Sequence, residues 1–306
     1  MITVVGSLNM DLFIETPHLP APGETVLGRN FRRAPGGKGA NQACAVARMG
    51  MPCSMVGAVG DDDAGTAMLA SLAAAGVDVT SVARRQETAS GTAMIILDVG
   101  GQNQIVVAGG ANDTVTPQLI HESSASFRRS KAVIAQFEIP LPSVEATLRL
   151  ARELGAMTVL NPAPFQPAAA ELMPLCDWMV ANESEASSLS GGSVHSVSDA
   201  EKVVRELRRR FKTTNVLVTL GANGVWTDSD RFIGHVPAFK TEPVDTVGAG
   251  DTFIGAFVTR MVERAGVRDA VQFACAAASL AVTRQGAQSS IPTRSEVEAF
   301  LERAPQ

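Results

Sequence analysis

The chain has 306 residues, 45% of them hydrophobic, which is enough for a large buried core and excludes a disordered or fibrous chain. A net charge of -5 argues against nucleic acid as a partner, since that needs a concentrated basic face; the one basic run, Arg208-Arg209-Arg210, ends a predicted helix, where cations suit the dipole. The four cysteines stand singly without C-x-x-C spacing, no stretch approaches the ~18 apolar residues of a membrane span, and the chain starts on strand-like sequence with no charged leader, so we expect a soluble cytoplasmic protein with reduced thiols and no membrane partner.

In chain order, Ile2–Val5 reads as a buried strand. The stretch Gly6-Ser7-Leu8-Asn9-Met10-Asp11 follows, with Asn9 and Asp11 spaced like neighbours on one strand face. From Leu12 to Phe31 the pattern is short and strand-like, broken by Pro17, Pro20, Pro22 and Gly23. Next, Gly36-Gly37-Lys38-Gly39-Ala40-Asn41-Gln42 opens a helical spacing that stops at Gly50. Glycines at such a place permit close backbone approach to a polar ligand, with Lys38 and Asn41 as hydrogen-bonding groups; they equally suit a plain turn with Asn41 in the first helical turn.

Strand Cys53–Val59 and helix Ala64–Ala75 continue the α/β rhythm. Thr92–Asp98 and Gln104–Val107 alternate like the arms of a β-hairpin joined through Val99-Gly100-Gly101-Gln102-Asn103. Together with about residues 11–31, this hairpin predicts a small β lid over a single α/β domain spanning 1–306. Beyond it, strands at Ala132–Gln136, Met157–Leu160, Trp178–Ala181 and Asn215–Thr219 alternate with helices, including Pro142–Leu154 and Ser198–Arg210. That rhythm predicts a doubly wound, mainly parallel sheet with helices on both faces.

Glu138, Asn161, Asn182 and Thr219 each follow a buried run, and open α/β sheets bind ligands beyond the carboxyl ends of their strands. Asn182 with Glu185 reads either as a capping box or as a site where Glu185 faces hydrated magnesium; Thr293 with Glu296 reads as a cap.

Polar groups from across the sequence thus converge on one edge, where Asp245-Thr246-Val247-Gly248-Ala249-Gly250-Asp251-Thr252-Phe253 also belongs. A tight Gly248-Ala249-Gly250 turn precedes an apolar-periodic helix, so unpaired N–H groups and the dipole offer an anion site. Asp251 in that first turn is either a general base beside a bound phosphate or a plain first-turn acid. No G-x-x-x-x-G-K-[ST], no G-x-G-x-x-G after the first strand, and no protein-kinase signature occurs, so any phosphoryl transfer uses another scaffold.

With these stretches assembled, the chain resembles the ribokinase-like (PfkB) family of carbohydrate kinases nearly end to end. The motifs around Gly36–Gln42 and Asp245–Phe253 carry the resemblance, supported by Gly6–Asp11, Asn182–Glu185 and Thr283–Ala287. It implies transfer of the ATP γ-phosphate to O5 of D-ribose, with Asp251 as base and Gly248, Ala249 and Gly250 completing the anion hole. It implies sugar contacts at Asn9, Asp11, Gly37, Lys38, Asn41, Glu138 and Asp251. Nucleotide contacts would fall on Asn182, Thr219, Leu220, Gly221, Ala222, Asn223, Gly224, Gly250 and Cys275, with Mg2+ reached through water by Glu185.

The resemblance also implies K+ beside the anion hole, held by Asp245, Val247, Ala281, Arg284, Gly286 and Ser290 mostly through backbone oxygens. The alternative for Asp245 is that it bonds its own loop's backbone, as Asp often does in turns. A homodimer through the lid is expected, because a stand-off sheet has free edges and an apolar face.

Two positions depart from the family's pattern. Cys275 stands where relatives often carry a histidine near adenine, and Met10 lies between two sugar-contact positions, though strand alternation turns it into packing. Alternatives are a kinase for 2-deoxyribose, fructose or adenosine, or a non-catalytic sugar-binding protein on the same fold; a binding module has no use for the Asp251 base.

Overall fold

The computed structural model describes residues 1–100, 102–211 and 215–304. The strands in chain order are β1 (Ile2–Val5), β2 (Asn9–Thr16), β3 (Arg29–Gly36), β4 (Cys53–Gly60), β5 (Val77–Arg85), β6 (Gly91–Asp98) and β7 (Asn103–Ala108), then β8 (Ala132–Ala135), β9 (Met157–Leu160), β10 (Trp178–Asn182), β11 (Asn215–Thr219), β12 (Val225–Asp228) and β13 (Ile233–Val236). The helices are α1 (Lys38–Arg48), α2 (Asp63–Ala74), α3 (Pro117–Glu122), α4 (Ser124–Arg128), α5 (Leu141–Glu153), α6 (Glu183–Ser190), α7 (Val197–Phe211), α8 (Ala249–Val262), α9 (Val267–Ala281) and α10 (Arg294–Arg303).

The large sheet runs β13-β12-β11-β10-β9-β8-β1-β4-β5. Every pairing from β11 to β5 is parallel, while β12 and β13 are antiparallel at one edge. Strands buried on both faces need apolar side chains at every position, which is why β1, β4 and β8 read as continuous apolar or small-residue runs. Alternate residues feed two separate cores. Ile2, Val4, Ala132 and Ile134 pack with α1, α8 and α9 on one face. Val5, Val133 and Ala135 pack with α5, α6 and α7 on the other. No helix among the described residues is long and apolar enough to cross a membrane.

The second sheet, in the order β3-β2-β6-β7, stands on its own small core of Phe13, Ala93 and Ile95. It is wider than the sequence pattern predicts: β2 starts at Asn9, and β3 continues to Gly36, directly into the glycine turn before α1. Arg32-Arg33-Ala34-Pro35 has no apolar alternation to read. The ladder to β2, with Leu12 opposite Arg33 and Asp11 opposite Ala34, holds it extended. The hairpin of β6 and β7 forms with Ala93 opposite Val107; of its connecting residues, Gly101 lies outside the described residues.

Candidate active site

The glycine turn between β3 and α1 is the first constraint on the site. Gly37 adopts φ +89°, and a Cβ there would lie 2.7 Å from the backbone nitrogen of Asn9, so only glycine lets the lid strand pass this close to the helix start. Lys38 then begins α1. Its backbone N–H donates to Oε2 of Glu138 at 3.3 Å. The same Glu138 oxygen accepts from Ser7 Oγ at 2.5 Å and Asn9 Nδ2 at 3.4 Å. Asn9 is held in turn by Asn112, whose Nδ2 donates to Asn9 Oδ1 at 2.8 Å.

Asp11 follows on β2 and is buried, with Glu138 and Asp251 near. Burial and then the charges of Glu138 and Asp251 push its carboxyl up to about 7, against the opposing pull of Arg32. Met10 points away, into the large core with Leu8.

On the other side of Lys38, α8 starts at Ala249. Gly248 caps it in the left-handed conformation with no side-chain cap; of the first-turn N–H groups, Ala249 donates to Thr246 O at 3.3 Å and Thr252 to Gly248 O at 2.8 Å, and Gly250 and Asp251 have no backbone partner among the described residues. Asp251 is buried in this turn, and burial raises its carboxyl despite Lys38. Its Oδ2 accepts from Asn41 Nδ2 at 3.0 Å and its Oδ1 from Gln42 Nε2 at 2.9 Å. For Lys38, burial alone would depress the ammonium, but the carboxylates of Asp251, Glu138 and Glu185 outweigh it and hold the pKa above its ordinary value. Lys38, Asn161, Asn182, Glu185, Thr219, Gly248, Gly250 and Asp251 line one cavity of about 180 Å³.

Asn182 and Glu185 do form the capping box. Asn182 Oδ1 accepts from the Glu185 N–H at 2.9 Å, and Glu185 Oε2 accepts from the Asn182 N–H at 3.0 Å. The box does not exclude a ligand role, because both residues also face the cavity. Burial pushes the Glu185 carboxyl up.

Past β11, Leu220 is buried while Gly221, Ala222 and Asn223 form an exposed short helical turn closed by Gly224. Thr219 reaches the cavity, and the turn runs outward from it. Cys275 stands apart. It sits on the buried face of α9, in the core rather than among the cavity-lining residues, and burial pushes its thiol up to about 12.

Asp245 bonds backbone on two loops: Oδ1 accepts from Val247 N–H at 3.0 Å and Oδ2 from Gly286 N–H at 2.9 Å. The Asp245–Gly248 and Gly286–Ser290 segments meet here, since a Cβ on Gly248 would lie 3.1 Å from Ala287 Cα. The Ala281 carbonyl accepts from Arg284 N–H at 3.0 Å, and Ser290 Oγ donates to Ala287 O at 2.8 Å. The Arg284 guanidinium turns away to Glu296 at 2.7 Å.

Ser7, Asn112, Gln42 and Gln136 belong to the site's hydrogen bonding and were not singled out from the sequence. Ser7 and Gln42 lay inside motifs already noted, and Gln136 ends an apolar strand run, so a polar residue at the carboxyl end of a buried strand was the available signal.

A parallel sheet whose strand ends converge on a helix start without a side-chain cap, a buried carboxylate and a lysine, beside a separate small sheet, defines a sugar-kinase class of site. The chain belongs to the pfkB family of carbohydrate kinases, which it matches over residues 1–294. It is 39% identical to the ribokinase of Haemophilus influenzae over 303 residues, covering 99% of each chain. It is 33% identical to the deoxyribokinase of Salmonella typhi, covering 98% of each. The structure of Arabidopsis thaliana ribokinase complexed with ribose and ATP superposes with a TM-score of 0.91 at 31% identity, covering 99% of each chain.

Proposed function

We propose that this chain, as one domain with a β lid, transfers the γ-phosphate of ATP to O5 of D-ribose, giving D-ribose 5-phosphate. The observation that carries the reading is Asp251: a buried carboxylate in the uncapped first turn of α8, with each oxygen held by a side-chain amide. So placed, it takes the proton from the attacking hydroxyl, while the N–H groups at Gly248 and Gly250 face the charge developing on the phosphoryl oxygens, the Ala249 N–H being turned to Thr246 O. Lys38 offsets the gathered negative charge.

Asn9, Asp11, Gly37, Asn41 and Glu138 give a sugar the paired donors and acceptors that several buried hydroxyls require. Because Met10 packs into the core, it does not fill the space of a hydroxyl, which favours ribose over 2-deoxyribose. ATP would lie along Asn182, Thr219 and the Gly221–Gly224 turn.

Two ions fit the residues present. Both Glu185 oxygens already accept protein N–H groups, which suits contact with Mg2+ through water rather than direct ligation. Asp245 has no cationic side chain paired to it among the described residues, and the carbonyls of the 281–290 segment lie beside its loop, which suits K+. When bound, these ions would offset phosphate charge and the charge of Asp245 respectively.

In the small sheet, Met94 on β6 and Val106 on β7 stand opposite each other on one face and are exposed, an apolar patch that a second copy would cover. Cys44, Cys53 and Cys275 are buried reduced thiols, which together with the use of ATP favours the cytoplasm.

The test is ADP release with ribose, 2-deoxyribose, fructose and adenosine as acceptors, beside an Asp251→Asn variant. Ribose should give the highest kcat/KM, and the variant should lose roughly 10²-fold or more in kcat with sugar binding largely kept. A variant that keeps most of its kcat removes the base.

A further inference from the structure

One feature of the site is assigned by no part of the reaction above. Three buried side-chain amides run head to tail beneath the cavity, and their polarity is forced from one end. The Val180 carbonyl can only accept, so the NH2 of Asn161 faces it, at 2.9 Å. The oxygen of Asn161 must then meet a donor, and Gln42 Nε2 lies 3.4 Å away. That puts the Gln42 oxygen toward Gln136, whose Nε2 donates to it at 2.6 Å. Gln42 and Gln136 are both 0% exposed, so water cannot substitute for either partner.

The chain ends on carboxylates. The Gln42 NH2 also donates to Asp251 Oδ1 at 2.9 Å, and the Asn161 NH2 to Glu185 Oε2 at 3.4 Å. Room for the last amide comes from Gly6: a Cβ there would lie 1.9 Å from Gln136 Oε1, an oxygen with no partner among the described residues. A buried acceptor left unpaired is a cost that packing alone does not explain, since an apolar side chain at this position would avoid it.

We propose that Gln136 and Gln42 are positioning residues that fix the amide polarity beneath the cavity, so that Asp251 meets an N–H and stays an ionised base, with Asn161 extending the same polarity to Glu185. This rests on the reading of Asp251 as the base. A donor to the charged form favours ionisation, whereas a carbonyl at the same place disfavours it, which matters for a carboxylate that burial already pushes up.

The test is reversal of the chain. In Gln136→Glu a carboxylate replaces the donating NH2. Gln42 then turns its own NH2 toward the new acceptor and shows its carbonyl to Asp251. We expect the acid limb of the kcat–pH profile, at saturating ATP and ribose, to move up by a pH unit or more. That is about a tenfold loss on the limb, recovered at higher pH. Gln136→Met, which removes the donor without reversing it, should move the limb less.

A uniform drop in kcat at every pH, or an unmoved limb in both variants, would show that the amides only pack the core. Should the variants not fold, the wild-type chain labelled with ¹⁵N-glutamine decides. The Gln42 side-chain NH2 should be strongly protected from solvent exchange, and free exchange overturns the proposal. Asp251→Asn separates the two readings. If it keeps most of kcat, the base itself is wrong and the amide role falls with it. If it abolishes turnover while Gln136→Glu leaves the limb in place, the amide chain alone falls.

Discussion

Asn41 donates its Nδ2 to Oδ2 of Asp251 at 3.0 Å, while its own Oδ1 is buried without a partner among the described residues. The side chain thus presents an acceptor beside the base, where a sugar hydroxyl can supply the missing donor. Removing it takes one sugar contact and one restraint on Asp251. Asn41→Ala should therefore raise the ribose KM roughly tenfold to hundredfold, the worth of about 1–3 kcal/mol for a buried unpaired group, and lower kcat as well. Steady-state kinetics checks both, and an unchanged KM would remove the contact.

The lid carboxylate Asp11 should set a pH dependence for sugar capture. Its carboxyl is pushed up to about 7, and its ionised form is the acceptor a hydroxyl needs. As pH falls below that value, kcat/KM for ribose should fall by about tenfold per unit, and Asp11→Asn should abolish this limb along with most of the affinity. The stability effect has the opposite sign. The folded chain binds the proton more tightly than the unfolded one, whose carboxyl titrates near 3.8, so this group's contribution falls as pH rises from about 4 to about 7. Arg32, stacked 3.7 Å over the Phe13 ring and pulling the Asp11 carboxyl down, gives a further check: Arg32→Gln should move the limb to higher pH.

How much of this was legible in the sequence depends on whether a signal was local. Continuous apolar runs such as Met157–Leu160 and glycine turns such as Gly36-Gly37 announced strands and helix starts within a residue or two, because those signals depend only on neighbours. β5 was not read, since an edge strand with its mixed burial carries no clean period. β12 and β13 are short and antiparallel, and only the pairing with β11 makes them part of the sheet. In the site, Asn9, Asp11, Lys38 and Asp251 stood out as polar residues at turns and strand ends. Gln42 and Gln136 did not, because an amide earns a role only through the partner it faces, and those partners are 209 and 94 residues away respectively. Asp245 illustrates a reading that stayed double: its two backbone bonds are what a loop-bracing aspartate makes, and its lack of a paired cation is what an ion site needs.

The lid predicts an oligomer. Met94 on β6 and Val106 on β7 are directly opposite in register, are 51% and 70% exposed, and share one face of the sheet. A second copy would bury them, so the double variant Met94→Glu with Val106→Glu should convert a dimer to a monomer in sedimentation velocity at micromolar concentration. Folding should persist, because neither side chain belongs to the Phe13 core. A wild-type chain that sediments as a monomer removes the dimer.

The remaining prediction concerns K+. The Asp245 carboxylate and the Gly286–Ser290 segment meet directly behind Gly248, the residue that caps α8. Neither is on the substrate side, so anything that changes their packing acts on the anion site through the turn rather than by contact. With Arg284 engaged by Glu296, a small cation would offset the local negative charge, and carbonyl oxygens suit a weakly hydrated one such as K+. Replacing K+ by Na+ or Tris at fixed Mg2+ and ATP should lower kcat several-fold with little change in ribose KM. Asp245→Asn keeps the side-chain oxygen that Val247 N–H or Gly286 N–H uses but loses the charge, so it should run at the low rate in either buffer. Equal wild-type rates with and without K+, or an Asp245→Asn variant that keeps the K+ response, would leave the turn held by the Asp245 hydrogen bonds alone.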